Sequence, residues 1–377
     1  MCKTVNPNRE ARGSVADVLD NLGERILDLK LNAWQEKTLR AIRQCRTQAL
    51  GGHIDVCTDC GTLHISYNSC RNRHCPTCQG HKKQQWIEAR SSELLPVPYF
   101  HVVFTLPSEL NLWALQQPKI VYDCLFESAW KTLETFGKNK GVKMGMIAIL
   151  HTWGQNLSLH PHLHCIVPGG GIDKQGQFQK IRADGKFLFS VKAMSKVFRA
   201  KYVALLRKEK LGDQTLYDKL FVQNWVVFAK SPFGNVHSVV EYLGRYTHKI
   251  AISNHRIQKL DQQEVTFNYK DYRQKGITKS MTLSLDEFTR RFAQHILPKG
   301  FVRIRHFGFL SSTWKRGKLK NLQQEMGVNL ENLAPVGNYL KRCPYCKTGK
   351  LITLFAFDQR GPPIAYLNVL PSISPSI

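Results

Sequence analysis

The segment MIAILHTWGQNLSLHPHLHCIV, residues 146–167, contains two apolar stretches, Met146 to Trp153 and Leu157 to Val167. Residues 154–156 (Gly-Gln-Asn) separate them, and such a break between two apolar runs is typical of a short turn between paired strands. The segment therefore predicts a strand pair, and its second strand carries the strongest chemical signal of the sequence.

This second strand contains the sequence His160-Pro161-His162-Leu163-His164. Alternate residues of a strand face the same side, so His162 and His164 are expected to point together while Leu163 points into the core. Two neighbouring imidazoles form a platform for a metal ion. A lone H-x-H is usually a pair of half-buried strand histidines. Three histidines at a spacing of two, beside a glycine triplet in a strongly basic chain, favour a metal instead.

A third ligand is needed to fix the ion while other positions stay open for a substrate. Gln155, in the turn before the strand, offers an oxygen suited to Mg²⁺ or Mn²⁺, and His151 and His160 are the alternatives. A metal with open positions polarises a phosphate oxygen and stabilises the charge that builds on phosphorus during displacement. The sequence therefore predicts a catalytic divalent ion held by His162, His164 and Gln155.

A predicted helix that carries Val239 and ends near Lys249 contains two tyrosines, Tyr242 and Tyr246. Residues four apart share a helix face, so both phenols are expected to project towards one place. The phenol pKa of about 10 makes tyrosine a weak nucleophile at neutral pH, but a divalent ion and nearby basic groups can favour the phenolate and neutralise a phosphate. These basic groups are Arg245, His248 and Lys249. Two aromatic residues at this spacing are more often core residues, but the histidine strand and the charge of the chain favour catalysis.

The N-terminal part of the chain contains two C-x-x-C pairs, Cys57 with Cys60 and Cys75 with Cys78, which fourteen residues separate. Each pair can bind one side of a zinc ion through a tight knuckle, and the intervening loop then closes a tetrahedral site. Buried structural thiols are the alternative, but paired C-x-x-C spacing rarely arises for packing alone. The sequence predicts a small zinc ribbon in which the metal is structural and supplies much of the stability.

Further ligands and basic groups surround these pairs. Four residues leave room for an exchanged ligand or a second ion: His53, Cys70, His74 and His81. Arg71 and Arg73, with aromatic neighbours, are expected to contact DNA. A separate pair, Cys343 and Cys346, has no partner pair downstream. It either completes a site with thiols from elsewhere in the fold or is half of a degenerate knuckle.

The chain of 377 residues has 54 Lys and Arg against 28 Asp and Glu, a formal net charge of +26. Such an excess repels itself unless a polyanion accompanies it, and nucleic acid is the usual one. Arg303 and Arg305 are expected to follow the DNA backbone. The N-terminal residues read as helical rather than as an export leader, and no apolar run is long enough to span a membrane. Eleven cysteines without an export signal predict metal binding in a reducing cytoplasm rather than disulfides.

Five blocks in consistent order resemble those of a known family. They are YNSCRNRHCPTCQG (67–80), HPHLHCIVPGGG (160–171), YLGRYTHKIAISN (242–254), VTFNYKDYR (265–273) and LPKGFVRIRHFGFL (297–310). The set is similar to the two-tyrosine HUH transposases of rolling-circle insertion sequences, the kind typified by insertion sequence ninety-one. A lone H-x-H or Y-x-x-x-Y would be a weak signal, whereas five ordered blocks are specific.

The resemblance implies an α+β fold with an antiparallel-sheet, HUH endonuclease-like core flanked by helices. In this core the sheet presents His162 and His164, and a helix presents Tyr242 and Tyr246 as nucleophiles. A helical segment and a small zinc ribbon precede the core, and a basic α/β C-terminal region follows it. The expected domains are a helical segment (1–52), a zinc-binding domain (53–95), the catalytic domain (96–256), a DNA-binding region with a C-x-x-C knuckle (257–360) and a disordered tail (361–377).

The activity that the resemblance implies is that of a transposase that cleaves and rejoins single-stranded DNA through a 5′-phosphotyrosine intermediate. It implies structural Zn²⁺, catalytic Mg²⁺ or Mn²⁺, and the single-stranded ends of an insertion sequence and its target DNA as partners. The expected location is the cytoplasm of a prokaryotic cell, at the nucleoid. The covalent intermediate keeps the energy of the broken bond, so rejoining needs no ATP, and the sequence has no G-x-x-x-x-G-K phosphate loop. Three alternatives remain: a rolling-circle replication initiator or relaxase with the same chemistry, a zinc hydrolase that uses the histidines, and a noncatalytic zinc-ribbon DNA-binding protein.

Overall fold

The computed structural model describes residues 13–78, 93–182, 188–230, 239, 244, 250–328 and 342–367. The chain forms two compact units, each built from separate stretches of the sequence. One comprises residues 1–81, 250–296 and 335–377, and the other comprises residues 82–249 and 297–334. They are called here the cysteine unit and the histidine unit, after the residues that they carry. Residues 297–334 of the predicted C-terminal region thus belong with the histidine-bearing sheet.

The chain combines antiparallel sheets with helices, so the predicted α+β class is confirmed. The strands in the described part are β1 Gly52–Cys57, β2 Leu63–Tyr67, β3 Tyr99–Thr105, β4 Gly145–Trp153, β5 Leu159–Pro168, β6 Gly170–Ile172, β7 Phe178–Lys180, β8 Val227–Lys230, β9 Ile257–Leu260, β10 Glu264–Asp271, β11 Ile277–Ser284, β12 Ile304–Gly308 and β13 Leu351–Phe357. The α-helices there are α1 Val15–Leu22, α2 Ala33–Arg43, α3 Asn111–Gln116, α4 Pro118–Lys138, α5 Val191–Lys208, α6 Gln214–Val222, α7 Leu285–Ala293, α8 Ser312–Lys315, α9 Lys318–Glu325 and α10 Ile364–Leu367.

An antiparallel five-stranded sheet with the order β12-β4-β5-β3-β8 forms the centre of the histidine unit. The neighbouring strands β4 and β5 pair from Ile147 opposite Ile166 to Trp153 opposite Leu159. This confirms the predicted strand pair. The family-specific HUH arrangement of this sheet stays a prediction.

The two faces of this sheet are covered differently. Leu163 and Cys165 of β5 belong to a large apolar cluster together with Phe126 of α4 and Phe198 of α5. Because side chains alternate along a strand, His162 and His164 point to the opposite face, where Ile166 of β5 joins a second apolar cluster. The long helices α4 and α5 therefore cover one face. The histidines lie on the other, called here the open face, of which α9 covers a part through Leu319 and Leu322.

Local sequence accounts for the two long helices of the histidine unit. α4 begins at Pro118, whose missing N–H and fixed φ suit the first turn, and its buried residues recur at helical spacing. α5 begins after Ser190, whose side chain accepts a hydrogen bond from the Ala193 N–H. Both helices present an apolar stripe to the sheet.

The cysteine unit contains two three-stranded sheets, with the orders β13-β1-β2 and β11-β10-β9. Ser14 and Asp17 form a capping box at the start of α1, and α1 contacts both α2 and α7. In the first sheet, β13 pairs antiparallel with β1 from Gly52 opposite Phe357 to Cys57 opposite Leu351. The predicted ribbon at 53–95 is therefore not local in sequence, because its sheet takes a strand from the C-terminal segment.

Within the described ranges, no helix is both long and apolar enough to cross a membrane. The predicted disordered tail at 361–377 is described only up to residue 367, and α10 lies in that part. The remainder of the predicted tail lies outside the described residues.

The inward face of β5 is expected to dominate the stability of the histidine unit. Leu163 is fully buried under the helices, so Leu163→Ala leaves a cavity and should lower the free energy of unfolding by about 2–5 kcal/mol. Leu112 of α3 is 59% exposed, so Leu112→Ala serves as the control and should change it by less than about 0.5 kcal/mol. Urea unfolding followed by fluorescence measures both, and equal losses would contradict the assigned faces.

Candidate metal centre

Three histidines from two adjacent strands meet on the open face of the sheet. His151 lies on β4 directly opposite His162 of β5, and one ring nitrogen from each of His151, His162 and His164 lies within 4.8 Å of the others. His151 is buried, whereas His162 and His164 are half-buried. The group is thus held by the sheet on one side and accessible on the other.

The distances within this group suit a shared metal ion. The Nε2 atoms of His162 and His164 are 3.2 Å apart. An octahedral ion with bonds of about 2.1 Å separates adjacent ligands by about 3.0 Å, and tetrahedral zinc with Zn–N bonds of about 2.05 Å separates them by about 3.3 Å. The spacing therefore fits a divalent cation in either geometry.

His160 contacts His162 through its backbone carbonyl and through its ring, whose centroid lies 5.1 Å from that of His162. The Nδ1 of His162 lies 2.6 Å from the carbonyl oxygen of His160. A carbonyl oxygen can only accept, so Nδ1 must carry the proton and the lone pair of a neutral ring sits on Nε2. This contact sets His162 in the tautomer that a metal ligand requires.

A fourth histidine, His101, was not predicted from the sequence, and it contacts the ring of His164. The Nε2 of His101 on β3 lies 2.9 Å from the Nδ1 of His164, and the two rings are stacked with centroids 5.1 Å apart. Burial, together with the charge of Lys230, lowers the pKa of His101 to about 4. A neutral His101 can accept a hydrogen bond from the Nδ1–H of His164. This leaves Nε2 of His164 directed towards His162.

Trp153 and the turn between β4 and β5 also lie beside the histidine group. The ring of His151 stacks on Trp153, with centroids 4.6 Å apart. Gln155, the predicted third ligand, is half-buried in the turn between β4 and β5. The structure thus brings His151 into the group with the two predicted imidazoles, and the role of Gln155 stays a prediction.

The two arginines predicted to follow DNA are held by the fold of the histidine unit. Arg303 is only 9% exposed, and its Nε donates to the Leu150 carbonyl at 3.2 Å. Arg305 pairs with Asp123 and lies over the ring of Phe126, on the helix side of the sheet. These contacts do not fit the prediction of exposed groups that contact phosphates.

The predicted nucleophiles, Tyr242 and Tyr246, lie outside the described residues, as do Arg245 and Lys249. Two described residues belong to the same segment, Val239 and Gly244, and both are helical and buried. Val239 is fully buried in the apolar cluster that contains Ile147, Ile149 and Ile166 on the histidine side of the sheet. Val239 itself therefore lies on that side of the sheet.

The cysteines form two clusters of four rather than the predicted single site. Cys75 and Cys78 lie with Cys45 and Cys70 in the first cluster, where the Sγ atoms of Cys45 and Cys78 are 3.5 Å apart. The second cluster contains Cys57, Cys60, Cys343 and Cys346. The predicted grouping of both N-terminal pairs around one ion is thus corrected, because β1 and β13 carry Cys57 and Cys60 to the C-terminal pair.

Of these ligands, Cys45 had no signal of its own in the sequence, since it stands outside any C-x-x-C pair. The possible role of Cys70, left open above, and the first of the two possibilities for Cys343 and Cys346 agree with these clusters. Arg71, predicted to contact DNA, is exposed beside the first cluster, and Arg73 is half-buried there. Their contact with DNA stays a prediction.

Comparisons with known proteins account for both units. Residues 145–318 match a family described as "Putative transposase", and residues 16–106 match one described as "Transposase zinc-binding domain". The chain is 40% identical over 386 residues to a protein of Sinorhizobium fredii described as "Putative transposase y4qJ", covering 93% of this chain and 97% of that protein. It is also 30% identical over 305 residues to the transposase for insertion sequence element IS801 of Pseudomonas savastanoi pv. phaseolicola, covering 73% of this chain and 70% of that protein. The chain belongs to the IS91-type transposase family.

The two matched regions of this transposase differ in the metal-binding side chains that they contain. The first, residues 145–318, contains His151, His162 and His164. The zinc-binding region, residues 16–106, contains the whole first cysteine cluster but only Cys57 and Cys60 of the second. The cysteine clusters and this matched region together suggest that the transposase binds structural zinc.

Acid should destabilise the histidine unit through His101. An unfolded histidine has a pKa of about 6.5, whereas the folded pKa of His101 is lowered to about 4. Between these values the unfolded chain binds a proton that the folded chain does not, so stability is present above pH 6.5 and is lost as the pH falls towards 4. The melting temperature, measured with a chelator from pH 7 to 5, should fall less steeply in His101→Asn.

The exposed His255 provides the matched control, since His255→Asn should keep the slope of the unsubstituted transposase. Identical slopes for His101→Asn and the unsubstituted transposase would show that burial of His101 does not carry the effect.

Proposed function

We propose that this transposase cleaves and rejoins single-stranded DNA through tyrosine, and that its five-stranded sheet is an HUH-type catalytic core. The observation that carries the proposal is the grouping of three imidazoles on the face of the sheet where Val239, which precedes Tyr242 by three residues in sequence, is buried. This chemistry, in a member of the IS91-type transposase family, supports rolling-circle movement of an insertion sequence.

The position of Val239 bears directly on the two phenols. Tyr242 and Tyr246 follow it by three and seven residues. In a helix, residues at i, i+3 and i+7 lie along one face. The helix predicted from the sequence would therefore carry both tyrosines on the same face as Val239, and this supports the proposal.

His151, His162 and His164 are the proposed ligands of the catalytic ion, and Gln155 remains the alternative oxygen ligand. When bound, a divalent ion there would withdraw charge from the scissile phosphate. Imidazole nitrogens suit transition metals better than they suit Mg²⁺, which prefers oxygen ligands. Of the two predicted ions, Mn²⁺ is therefore expected to bind the three-histidine group more tightly.

The tyrosine step exchanges one phosphoester bond for another and therefore needs no external source of energy. The phenol oxygen of Tyr242 or Tyr246 forms a bond to phosphorus as the bond from phosphorus to the 3′ oxygen breaks. The phenol loses a proton and the 3′ oxygen gains one, which leaves a 5′-phosphotyrosine and a 3′-hydroxyl. The second phenol can then cut another strand while the first end stays attached, as transfer to a target requires.

DNA recognition is proposed to rest on charge and on the first cysteine cluster. The net charge of +26 favours a polyanionic partner, here the single-stranded ends of the element and the target. Zn²⁺ held by Cys45, Cys70, Cys75 and Cys78 would keep Arg71 and Arg73 on a rigid knuckle. Arg245 and Lys249, beside the tyrosines in sequence, are the proposed contacts to the scissile phosphate.

A covalent protein–DNA adduct is the direct test. The purified transposase is mixed with labelled single-stranded DNA from either end of its element and Mn²⁺, and the products are separated on a denaturing gel. Tyr242→Phe and Tyr246→Phe should each weaken the adduct, and the double variant should abolish it because phenylalanine has no nucleophilic oxygen.

Tyr272 is a suitable control because it is 70% exposed in the cysteine unit, so Tyr272→Phe should keep the adduct. An adduct that survives the double variant would refute the assignment of the nucleophiles, and one that forms equally well with a chelator would refute the role of the metal.

The ligand set can be separated from its alternatives by calorimetric titration with Mn²⁺. Removing a ligand ring should weaken binding by more than about tenfold, so His151→Ala should show this loss. His160→Ala should bind Mn²⁺ almost as well as the unsubstituted transposase, because it keeps the carbonyl that orients His162 and because the group of ligand nitrogens is formed by His151, His162 and His164. Gln155→Ala tests the predicted oxygen ligand. A large loss in Gln155→Ala with none in His151→Ala would reverse the assignment of the third ligand.

A further inference from the structure

We propose that Cys57, Cys60, Cys343 and Cys346 bind a structural Zn²⁺ of their own, and that this ion fastens the C-terminal segment to the N-terminal sheet. It is a different ion from the one proposed for the first cysteine cluster and from the catalytic ion. The matched zinc-binding region ends at residue 106 and contains only half of this site.

The sulfur positions fit tetrahedral zinc. The Sγ atoms of Cys57 and Cys346 are 3.6 Å apart, and those of Cys60 and Cys343 are 3.8 Å apart. Four thiolates around zinc with bonds of about 2.3 Å are separated by about 3.8 Å. A disulfide would need about 2.05 Å, so these thiols are spaced for a shared ion and not for pairwise oxidation.

Both C-x-x-C pairs form the same kind of turn. The Gly61 N–H donates to the Cys57 carbonyl, and the Lys347 N–H donates to the Cys343 carbonyl, each across four residues. Gly61 and Lys347 also share a positive φ, 68° and 62°. A positive φ is unfavourable for lysine, so the C-terminal pair holds a strained turn that brings its two sulfurs to the N-terminal pair.

Backbone amides already point at the sulfurs. The N–H groups of Asp59 and Cys60 donate to the Sγ of Cys57 at 3.4 and 3.5 Å, and the Gly349 N–H donates to the Sγ of Cys346 at 3.3 Å. Amide donors stabilise the negative charge of thiolates. This arrangement suits thiolates bound to a metal rather than neutral thiols.

Hydrophobic packing at this place is too small to hold the segment by itself. Among the residues that the structure describes, the apolar cluster around the site contains Cys57, Cys343 and Leu351, with Cys346 against it, so most of it consists of the proposed ligands. Along β13 the five residues between Leu351 and Phe357 are exposed. Small β structures without a core depend on metal or disulfides for stability, and the metal is therefore expected to hold β13 on β1.

The site joins distant parts of the chain. Cys60 and Cys343 are 283 residues apart in sequence, and Thr58 and Lys350 add two hydrogen bonds beside the cluster, Thr58 N to the Lys350 carbonyl at 2.9 Å and Lys350 N to the Thr58 Oγ1 at 3.0 Å. Closing so long a loop costs chain entropy, and four metal–sulfur bonds offset this cost.

The first test counts thiolate-bound metal in the purified full-length protein after reconstitution with Co²⁺, because the sulfur-to-cobalt absorption does not report a histidine site. We expect two such ions per chain. Cys343→Ser/Cys346→Ser should retain one, and so should Cys70→Ser/Cys75→Ser. Cys124, buried among the helices of the histidine unit, gives the control, and Cys124→Ala should retain two.

One thiolate-bound ion in the unsubstituted protein would overturn the proposal, whatever the variants do. Two ions in Cys343→Ser/Cys346→Ser would also overturn it. Neither outcome depends on whether the protein nicks DNA, so failure of this site is distinguishable from failure of the proposed catalytic function.

The second test measures the fastening itself by hydrogen exchange. The amides of β13 are expected to exchange at least about tenfold faster in Cys343→Ser/Cys346→Ser, because local opening no longer breaks the metal site, while β3 of the histidine unit keeps its protection. Gly349→Ala leaves all four thiols in place, but its Cβ would lie 2.3 Å from the Sγ of Cys57, so it should loosen β13 in the same way. Unchanged protection of β13 when the chelated, unsubstituted protein has lost both thiolate-bound ions would overturn the fastening role.

Discussion

The alternation of side chains along β5 is the constraint on which the histidine unit depends. Leu163 and Cys165 are fully buried against the helices, and a shift of the strand by one residue would send them to the open face and bring the histidines into the core. The cost of exposing that core fixes the register, and the register places His162 beside His164. β4 then adds His151 directly across from His162. The imidazoles are thus held by regular structure on a rigid sheet, which suits a site that must keep its geometry while a substrate enters.

Contacts behind the ligands decide how the rings are presented. The His160 carbonyl accepts from Nδ1 of His162, and His101 lies against Nδ1 of His164, so both rings turn their Nε2 atoms towards the same point. Burial keeps His101 neutral, with its pKa lowered to about 4, and its neutral ring can therefore accept a hydrogen bond from the Nδ1–H of His164. The positive charge of the chain attracts DNA in general, whereas these neutral contacts shape the small region where a phosphate would bind.

The cysteine unit has little apolar burial around its first sheet. Its sheet β13-β1-β2 is small, and the cluster at its end consists largely of cysteines, so apolar burial there is limited. Two groups of four thiols lie in this unit, one within the N-terminal segment and one shared with the C-terminal segment, and bound zinc would supply the stability that limited apolar burial does not. The predicted order of consecutive domains does not describe such a fold, because residues 250–296 and 335–377 return to the unit that the N-terminal residues began.

Local patterns in the sequence determined the strand pair β4–β5, the helical character of the N-terminal segment, the shared face of His162 and His164, and the family. Each of these follows from spacing within a few residues, or from ordered motifs, and needs no knowledge of distant contacts. Only the tertiary structure decided which residues meet across strands and across the chain: His101 and His151 beside the predicted pair, Cys45 in the first cluster, and Cys57 with Cys343 in the second. A lone histidine or cysteine carries no spacing signal, because its partners are set by strand pairing. That pairing depends on the burial and hydrogen bonding of the whole sheet, which no short stretch of sequence contains.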